Sequence, residues 1–591
     1  MDEEERGRVS ADSGSQDERR RRRVITRAAP LAAIALIAFV GGIVVGGGPD
    51  APEAQRFVDA WEAEDYPAMY AELSPESSDQ ITLEEFERSY EKAAETATLE
   101  TLTAGEITDE DGVASTTVSV STYAFGELTG RIDLPLGDEG VSWAPNLVYP
   151  GLTDEEQLVR RTRAPARAAI LAADRTPLSS GPASARSVGA AASAVVGSVG
   201  TPTDDQAKDL ARDGFPPGTL TGTSGLELAF NERLNGKPGG QLVAVSGGEA
   251  NEVGGGRVLA QTDPVRGKPV RTYIDPELQE TAVVALGSLY GGAAVLDAET
   301  GGVMALSGIA FSAPQPPGST FKIITATGAL DAGIVKTTDQ FPVESSNSDI
   351  GREIANAHDE LCGGSFVESF AHSCNTVFAP LGAELGGDEL VATSKRFGFN
   401  SRPDLFDPVA TEAIRPPAST IPEDLGDDTV ATGESAIGQG QVLATPLQMA
   451  SVAQTIANDG VRLPTPIARG PDLAPDAEPV EVTSPETAAT MREMMIEVVN
   501  SGTGTAAALQ GIEVAGKTGT AELGPKALDP GQELEPGEEP ELETDAWFTA
   551  FAPAAKPKIA VAVMIVNSEG DGGAVAAPIV RQIMAAYFDV Q

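Results

Sequence analysis

The sequence predicts a multidomain protein of mixed α and β structure, with an N-terminal transmembrane helix, a small α+β domain, a middle segment and a large α/β domain. Three observations carry that expectation. The chain has 591 residues, too many for a single hydrophobic core, so three or four domains are expected. An uncharged run fills residues 28–48. Near Arg271 the texture changes to apolar runs that suit the strands and helices of a layered domain.

Residues 1–27 are charged and lack apolar periodicity, ending in the basic run Arg19–Arg23 plus Arg27. From Ala28 to Gly48 there are 21 residues without a charge, among them Ile34, Leu36, Ile37, Phe39 and Val40. As a helix that length crosses a bilayer core of about 30 Å. The arginines on its N-terminal side put residues 1–27 in the cytoplasm as a tail and the bulk of the chain outside. A cleaved signal peptide is the competing reading, since Pro49-Asp50-Ala51 follow a glycine-rich end. The run is longer than a usual signal core, which favours a single-pass anchor in the cytoplasmic membrane.

Residues 51–152 read as a small α+β domain. Phe57, Val58, Trp61, Tyr66, Met69, Tyr70 and Leu73 fall at helical spacing, broken near Pro75, and a second helix is expected from Leu83 to Ala97. Ala114–Tyr123 alternates as a strand does, with Leu128–Leu136 as its hairpin partner. Nothing in this segment suggests catalysis; a spacer or docking role is the plain reading. Residues 153–270 are mixed, with an Ala/Ser/Gly-rich stretch from Gly181 to Gly200. In residues 271–591 a helix is expected from Glu277 to Leu289, then a buried strand Ala293–Asp297 and its partner Val303–Ser307. Leu523–Thr544 carries seven acidic residues, four prolines and one lysine, as a surface insertion would.

Composition narrows the chemistry. A formal net charge of −47 argues against nucleic acid as a partner, because phosphate binding needs clustered Lys and Arg. Two cysteines exclude a disulfide scaffold and a Cys-rich metal site, and two histidines, His358 and His372, disfavour a His-based triad or a His-rich metal site. The two histidines read as packing or capping residues rather than catalytic ones.

Three short motifs remain, each ambiguous alone. In Pro317-Gly318-Ser319-Thr320-Phe321-Lys322, Ser319 and Lys322 lie three apart on what reads as a helix and so project from one face. A lysine whose pKa is lowered by burial or nearby positive charge can take the serine proton, yet Ser-x-x-Lys recurs by chance. In Ser373-Cys374-Asn375 a hydroxyl and an amide can point into one cleft, to relay a proton and hold a substrate amide; a helix cap or turn explains the tripeptide equally well. In Lys517-Thr518-Gly519-Thr520, Lys517 supplies positive charge, the hydroxyls of Thr518 and Thr520 suit a carboxylate, and Gly519 allows close backbone approach. An ordinary turn is the alternative.

Their order removes the ambiguity. Ser-x-x-Lys, Ser-x-Asn and Lys-Thr-Gly, with Gly438-Gln439-Gly440 ahead of Ala444-Thr445-Pro446-Leu447-Gln448, resemble the active-site set of penicillin-binding proteins and serine β-lactamases. Upstream, Gly222-Thr223-Ser224-Gly225-Leu226-Glu227 and Leu234-Asn235-Gly236 are similar to the pedestal region of class B penicillin-binding proteins. Arg167 and Asp174-Arg175 match that region's arginine signature loosely, with Ala168 in place of a glycine. Residues 51–152 resemble the NTF2-like domain of class B members. No glycosyltransferase domain precedes the transpeptidase-like region, unlike the class A pattern.

The resemblance implies a fold of four parts after the tail: the anchor at 28–48, an NTF2-like domain at 51–152, a β-rich pedestal or dimerisation domain at 153–270, and a serine-transpeptidase domain at 271–591 with an antiparallel sheet flanked by helices. It implies a D,D-transpeptidase acting on peptidoglycan stem peptides through a Ser319 acyl-enzyme, with β-lactams as substrate mimics. Lys322 accepts the proton, Lys517 assists by its charge, and Ser373 relays the proton to the leaving D-Ala. Asn375 holds the substrate amide, Thr518 and Thr520 hold the terminal carboxylate, and the N–H groups of Ser319 and Thr520 form the oxyanion hole. No metal or organic cofactor is required, and a peptidoglycan glycosyltransferase is the expected protein partner. No residue stands out as a dedicated deacylating base, which disfavours a β-lactamase. A D,D-carboxypeptidase, and a non-catalytic β-lactam sensor or scaffold, remain as rivals. Outside the membrane Cys362 and Cys374, 12 residues apart, can form a disulfide that pins the loop presenting Ser373 and Asn375; two buried free thiols are the alternative.

Overall fold

The computed structural model describes residues 51–137, 139–246, 255–405, 415–470, 472–473, 475–525 and 542–590. The tail and anchor expected at 1–27 and 28–48 lie outside the described residues. Among the described residues no helix is long and apolar enough to cross a membrane. The chain divides into two units: residues up to Val159 with Ala244–Arg257, and Arg160–Val243 with Val258 onward, the short Tyr123–Phe125 going with the second.

The first unit starts with α1 (Pro52–Glu62), α2 (Tyr66–Ala71), α3 (Pro75–Gln80) and α4 (Leu83–Ala97). The periodic run ending near Leu73 is thus two helices, not one. It breaks where Glu64 takes φ 55 and Asp65 caps α2 by accepting from the Ala68 N–H. Pro75 opens α3 instead of ending its predecessor, because its fixed φ and missing N–H suit the first helical position. Helix α4 has the expected bounds, set by a reciprocal capping box between Thr82 and Glu85. Phe57, Trp61, Phe86 and Tyr90 pack edge-on or tilted, with ring centroids 4.8–6.5 Å apart. Against them lies an antiparallel sheet whose β1 (Leu99–Ala104), β2 (Val113–Thr122) and β3 (Gly126–Gly137) neighbour in sequence order.

In the second unit part of the middle segment forms short strands. Ile170–Leu171, Pro177–Ser180 and Ser187–Val188 join Val270–Thr272 and Ala468–Arg469 in one sheet. That sheet crosses the boundary expected at residue 270, because strands of two to four residues need neighbours from both segments to be stable. Behind it Glu227, fully buried, accepts from Arg167 Nε and Arg186 Nε at 2.7 Å each and from Ser179 Oγ at 2.5 Å. The loosely matched Arg167 therefore belongs with the Gly222–Glu227 motif; Arg186 was invisible in the sequence.

The rest of the second unit is built on a five-stranded antiparallel sheet of β4 (Gly291–Asp297), β5 (Val303–Gly308), β6 (Ala515–Pro525), β7 (Leu542–Ala552) and β8 (Ile559–Ile565), in the order β5-β4-β8-β7-β6. Alternate residues face opposite cores. Val561, Val563, Phe548 and Ala550 pack on α5 (Pro276–Leu286) and the C-terminal helix Ala576–Phe588. Ala560, Ala562, Met564 and Trp547 face the helical side that holds Lys322–Asp331 and Pro446–Ala457. Helix α5 stops three residues short of the expected Leu289, because Gly287 takes φ 55 and closes its end. The ladder of β6 and β7 continues to Pro525 opposite Leu542. Leu523–Pro525 and Leu542–Thr544 are therefore strand rather than insertion; residues 526–541 lie outside the described residues.

Candidate active site

Ser319 lies in the helical turn Gly318–Phe321, and Lys322 begins α6 (Lys322–Asp331) directly after it. The turn rests against β6. Gly318 has φ +52, and a Cβ there would come 2.6 Å from the Thr520 carbonyl oxygen. From the other side, a Cβ on Gly519 would come 2.6 Å from the Pro317 oxygen. Glycine at both positions is what lets the main chain of Ser319 approach that of Thr520. Gly438 backs the same turn: its carbonyl accepts from the Gly318 N–H at 3.0 Å, and a side chain there would strike the Gly318 oxygen.

The second segment is the turn between α7 (Phe366–Ala371) and α8 (Asn375–Leu385). Ser373 takes φ +64, which a side-chain-bearing residue adopts only when its surroundings fix it. Two bonds do so, from the Ser373 N–H to Phe370 O and from the Cys374 N–H to Ser369 O, at 3.2 and 2.9 Å. A disulfide from Cys374 to Cys362 does the rest, with Cα atoms 5.4 Å apart. Its 12-residue separation corresponds to about 3 kcal/mol of loop-closure entropy removed from the unfolded chain. Next to it Asn375 is oriented from both ends, donating to Ala355 O at 2.9 Å and accepting from Lys322 Nζ at 2.7 Å.

Both lysines are fully buried and converge on Ser373. Lys322 Nζ donates to Ser373 O at 2.7 Å and lies 3.3 Å from Ser373 Oγ. Lys517, on β6 opposite Thr549, donates from Nζ to the same Oγ at 2.9 Å and to Thr518 O at 3.1 Å. Their remaining surroundings are apolar, with the rings of Phe378 and Phe370 each 5.5 Å from an ammonium. Burial, with the charge of Lys517 second, holds Lys322 well below the usual lysine range. Burial alone lowers Lys517 to about 7. A lysine so placed is a competent base near neutral pH, and Ser373 links it by hydrogen bonds to the second cation.

Thr518 and Thr520 sit two apart on β6, on one side of the strand. Thr518 Oγ1 lies 2.5 Å from Thr503 Oγ1, and Thr520 Oγ1 donates to Asp571 Oδ1 at 3.4 Å. Ser319, Lys322, Ser373, Asn375, Lys517, Thr518, Gly519 and Thr520 are thus brought to one site. The residues that sequence reasoning missed are Thr503, Asp571 and His358. His358 neither packs nor caps: its side chain is exposed, and Nε2 lies 3.0 Å from Asp571 Oδ2. It is one of only two histidines, yet nothing in local spacing ties it to a residue 213 positions away. His372 does end a helix, as the C-cap of α7. Among the described residues no His, Cys, Asp and Glu cluster could hold a metal ion.

Comparison with known proteins agrees with this geometry. Residues 291–585 match the penicillin binding protein transpeptidase domain, 180–272 the penicillin-binding protein dimerisation domain, and 50–156 the NTF2-like N-terminal transpeptidase domain. The peptidoglycan D,D-transpeptidase PbpA of Mycolicibacterium smegmatis is 38% identical over 304 residues, 47% of this chain and 56% of that protein. The peptidoglycan D,D-transpeptidase MrdA of Acinetobacter baumannii is 28% identical, over 64% of this chain and 62% of its own length. The chain thus spans little more than half the length of the first of these relatives. Penicillin-binding protein A from M. tuberculosis, solved as a penicillin G acyl-enzyme complex, superposes with a TM-score of 0.53 at 26% identity, covering 72% of this chain and 100% of that one. The D,D-transpeptidase domain of a peptidoglycan glycosyltransferase from Eggerthella lenta gives 0.55 at 26% identity, over 72% and 98%. These three domain matches, with the relative above, establish that the chain belongs to the penicillin-binding proteins with a transpeptidase domain, a dimerisation domain and an NTF2-like N-terminal domain.

Proposed function

We propose that this chain is a peptidoglycan D,D-transpeptidase that works through a Ser319 acyl-enzyme and is acylated by β-lactams. The observation that carries the proposal is the pair of buried lysines, Lys322 and Lys517, sharing the Ser373 hydroxyl beside the serine turn with no carboxylate among the described residues to neutralise them. Ser319 Oγ attacks the carbonyl of the penultimate D-Ala while neutral Lys322 takes its proton. The main-chain N–H groups of Ser319 and Thr520 receive the developing oxyanion, an interaction worth about 3–4 kcal/mol per donor. As the C–N bond breaks, the proton passes from Lys322 through Ser373 to the departing D-Ala amine. An amine from a neighbouring stem peptide then attacks the ester, and Ser319 regains a proton. Asn375 orients the donor amide, and Thr518 and Thr520 bind its carboxylate. The reading extends to a single-pass anchor at residues 28–48, a catalytic part outside the cytoplasmic membrane and a glycosyltransferase supplying the glycan strands. The arginine-flanked uncharged run supports the first two, and the nature of the substrate supports the third.

Purified protein treated with penicillin should gain one adduct, mapped by mass spectrometry to the Ser319 peptide and absent from Ser319→Ala. Persistent labelling of that variant by a fluorescent penicillin would sink the assignment. Incubation with lipid-linked precursor and a polymerase separates the rivals: cross-linked dimers mark a transpeptidase, trimmed monomers a carboxypeptidase, and no product a sensor.

A further inference from the structure

Next to Thr520, which is expected to receive the acyl donor's carboxylate, the structure places another carboxylate. Asp571 Oδ1 accepts from Thr520 Oγ1 at 3.4 Å, and the Gly572 N–H donates to the same hydroxyl at 3.5 Å. The loop cannot easily move Asp571 away. Its carbonyl accepts from the Ala574 and Val575 N–H groups, both at 2.9 Å, where the C-terminal helix begins. A Cβ on Gly572 would lie 2.1 Å from Trp547 O and 2.4 Å from Gly519 O, so this segment is pressed onto β6 and β7. An unneutralised Asp571 would oppose an anionic donor twice over, by like charge and by occupying the Thr520 hydroxyl as an acceptor.

One group offsets it. His358 Nε2 sits 3.0 Å from Asp571 Oδ2, and among the described residues no lysine or arginine pairs with that carboxylate. His358 comes from the opposite side of the site, on the Ala357–Asp359 turn. That turn is tied to the Asn375 helix: Asn356 Nδ2 donates to Thr376 Oγ1 at 3.2 Å, and Ala355 O accepts from Asn375. The charges acting on the imidazole are Asp571 across the site and Glu360 on its own loop, both of which favour its protonated form.

We propose that His358 is a specificity-determining positioning residue: as an imidazolium it neutralises Asp571, frees the Thr520 hydroxyl and so makes the site selective for acyl donors that end in a carboxylate. The inference rests on the transpeptidase reading and assigns that reading's carboxylate subsite an electrostatic partner from outside the three motifs. Nothing in it concerns the bond-making step, which stays with Ser319 and Lys322.

The test is the second-order rate of Ser319 acylation by benzylpenicillin and by its methyl ester, for wild type, His358→Ala, His358→Lys, Asp571→Asn and the double variant. Because the pair is exposed, the expected effect is modest: His358→Ala lowers the rate for the free acid by about two- to fivefold and leaves the ester rate near wild type. His358→Lys keeps most of the wild-type preference. Asp571→Asn raises the rate for the acid, and adding it to His358→Ala restores the rate to at least that of wild type. The wild-type preference for acid over ester narrows as pH rises through the imidazole titration and is flat with pH in Asp571→Asn. An equal loss for acid and ester in His358→Ala, or a double variant as slow as the single, would overturn the proposal. Failure of the wild type to be acylated at all would instead overturn the transpeptidase reading.

Discussion

The second unit buries positive charge in two places and treats it in opposite ways. Behind the pedestal sheet, Arg167 and Arg186 flank Glu227, and every charged group there has a partner within hydrogen-bond distance. At the active site, Lys322 and Lys517 are buried still more deeply, yet among the described residues they find only hydroxyl, amide and carbonyl oxygens. Desolvation is costly in both places; only the first recovers it as ion pairing. The difference separates structural from chemical use of the same resource. A compensated cation stays charged and locks two segments together, whereas an uncompensated one sheds its proton near neutral pH and becomes a base.

The largest expected effect breaks the site without breaking the fold. Lys322→Met should lower the Ser319 acylation rate by about 10²–10⁴-fold, the contribution of general-base assistance. The same variant should unfold at a higher denaturant concentration than wild type. The sign follows from the lowered pKa: below 10.5 the unfolded chain binds a proton that folded Lys322 resists, so the penalty removed by Met grows as pH falls and vanishes above that value. A Met variant less stable than wild type at pH 6 would contradict the contrast. Next comes the compensated cluster, where Glu227→Ala leaves two buried guanidiniums and should cost about 3–5 kcal/mol in urea melts. Protein that still folds should be acylated at the wild-type rate.

A third prediction concerns an intermediate case. Asp545 on β7 is buried, bonded at Oδ1 by the Asn567 N–H, and has no partner for Oδ2 among the described residues. Burial raises it to about 6, so its penalty is absent below pH 4 and present above pH 6. Asp545→Asn should therefore stabilise the protein by up to ~3 kcal/mol at pH 8, with no gain at pH 4. The smallest effect is a displacement on the pH axis. Wild-type acylation should fall above about pH 7 as Lys517 loses its charge. In Lys517→Gln the acidic limb should move to higher pH, because Lys322 then holds its proton longer. An unmoved limb would mean that the two lysines do not sense each other.

Legibility followed the range of the interactions. That Ser319, Lys322, Ser373, Asn375 and Lys517–Thr520 converge was legible because the proposed chemistry needs fixed residue types at fixed local spacing. Helix α4 was readable because Thr82 and Glu85 write its start into four consecutive residues. The break at Glu64 was not, since a left-handed residue other than glycine leaves no mark in apolar periodicity. Arg186 and the His358–Asp571 pair were hidden for a different reason. Their meaning exists only once segments 41 and 213 residues apart are folded together. The sheet that spans residue 270 was hidden likewise, because Ala468–Arg469 completes strands begun nearly 300 positions earlier.

The position of β6 as the last strand of its sheet has a separate consequence. One side of Lys517–Thr520 bonds to β7, and the other presents main-chain donors and acceptors that no strand of the sheet takes. An extended chain laid along that side would extend the sheet as a sixth strand, held by its backbone whatever its side chains. A chain held there would be held through its backbone, and an edge left unpaired in this way is a template on which a second unfolded chain could pair.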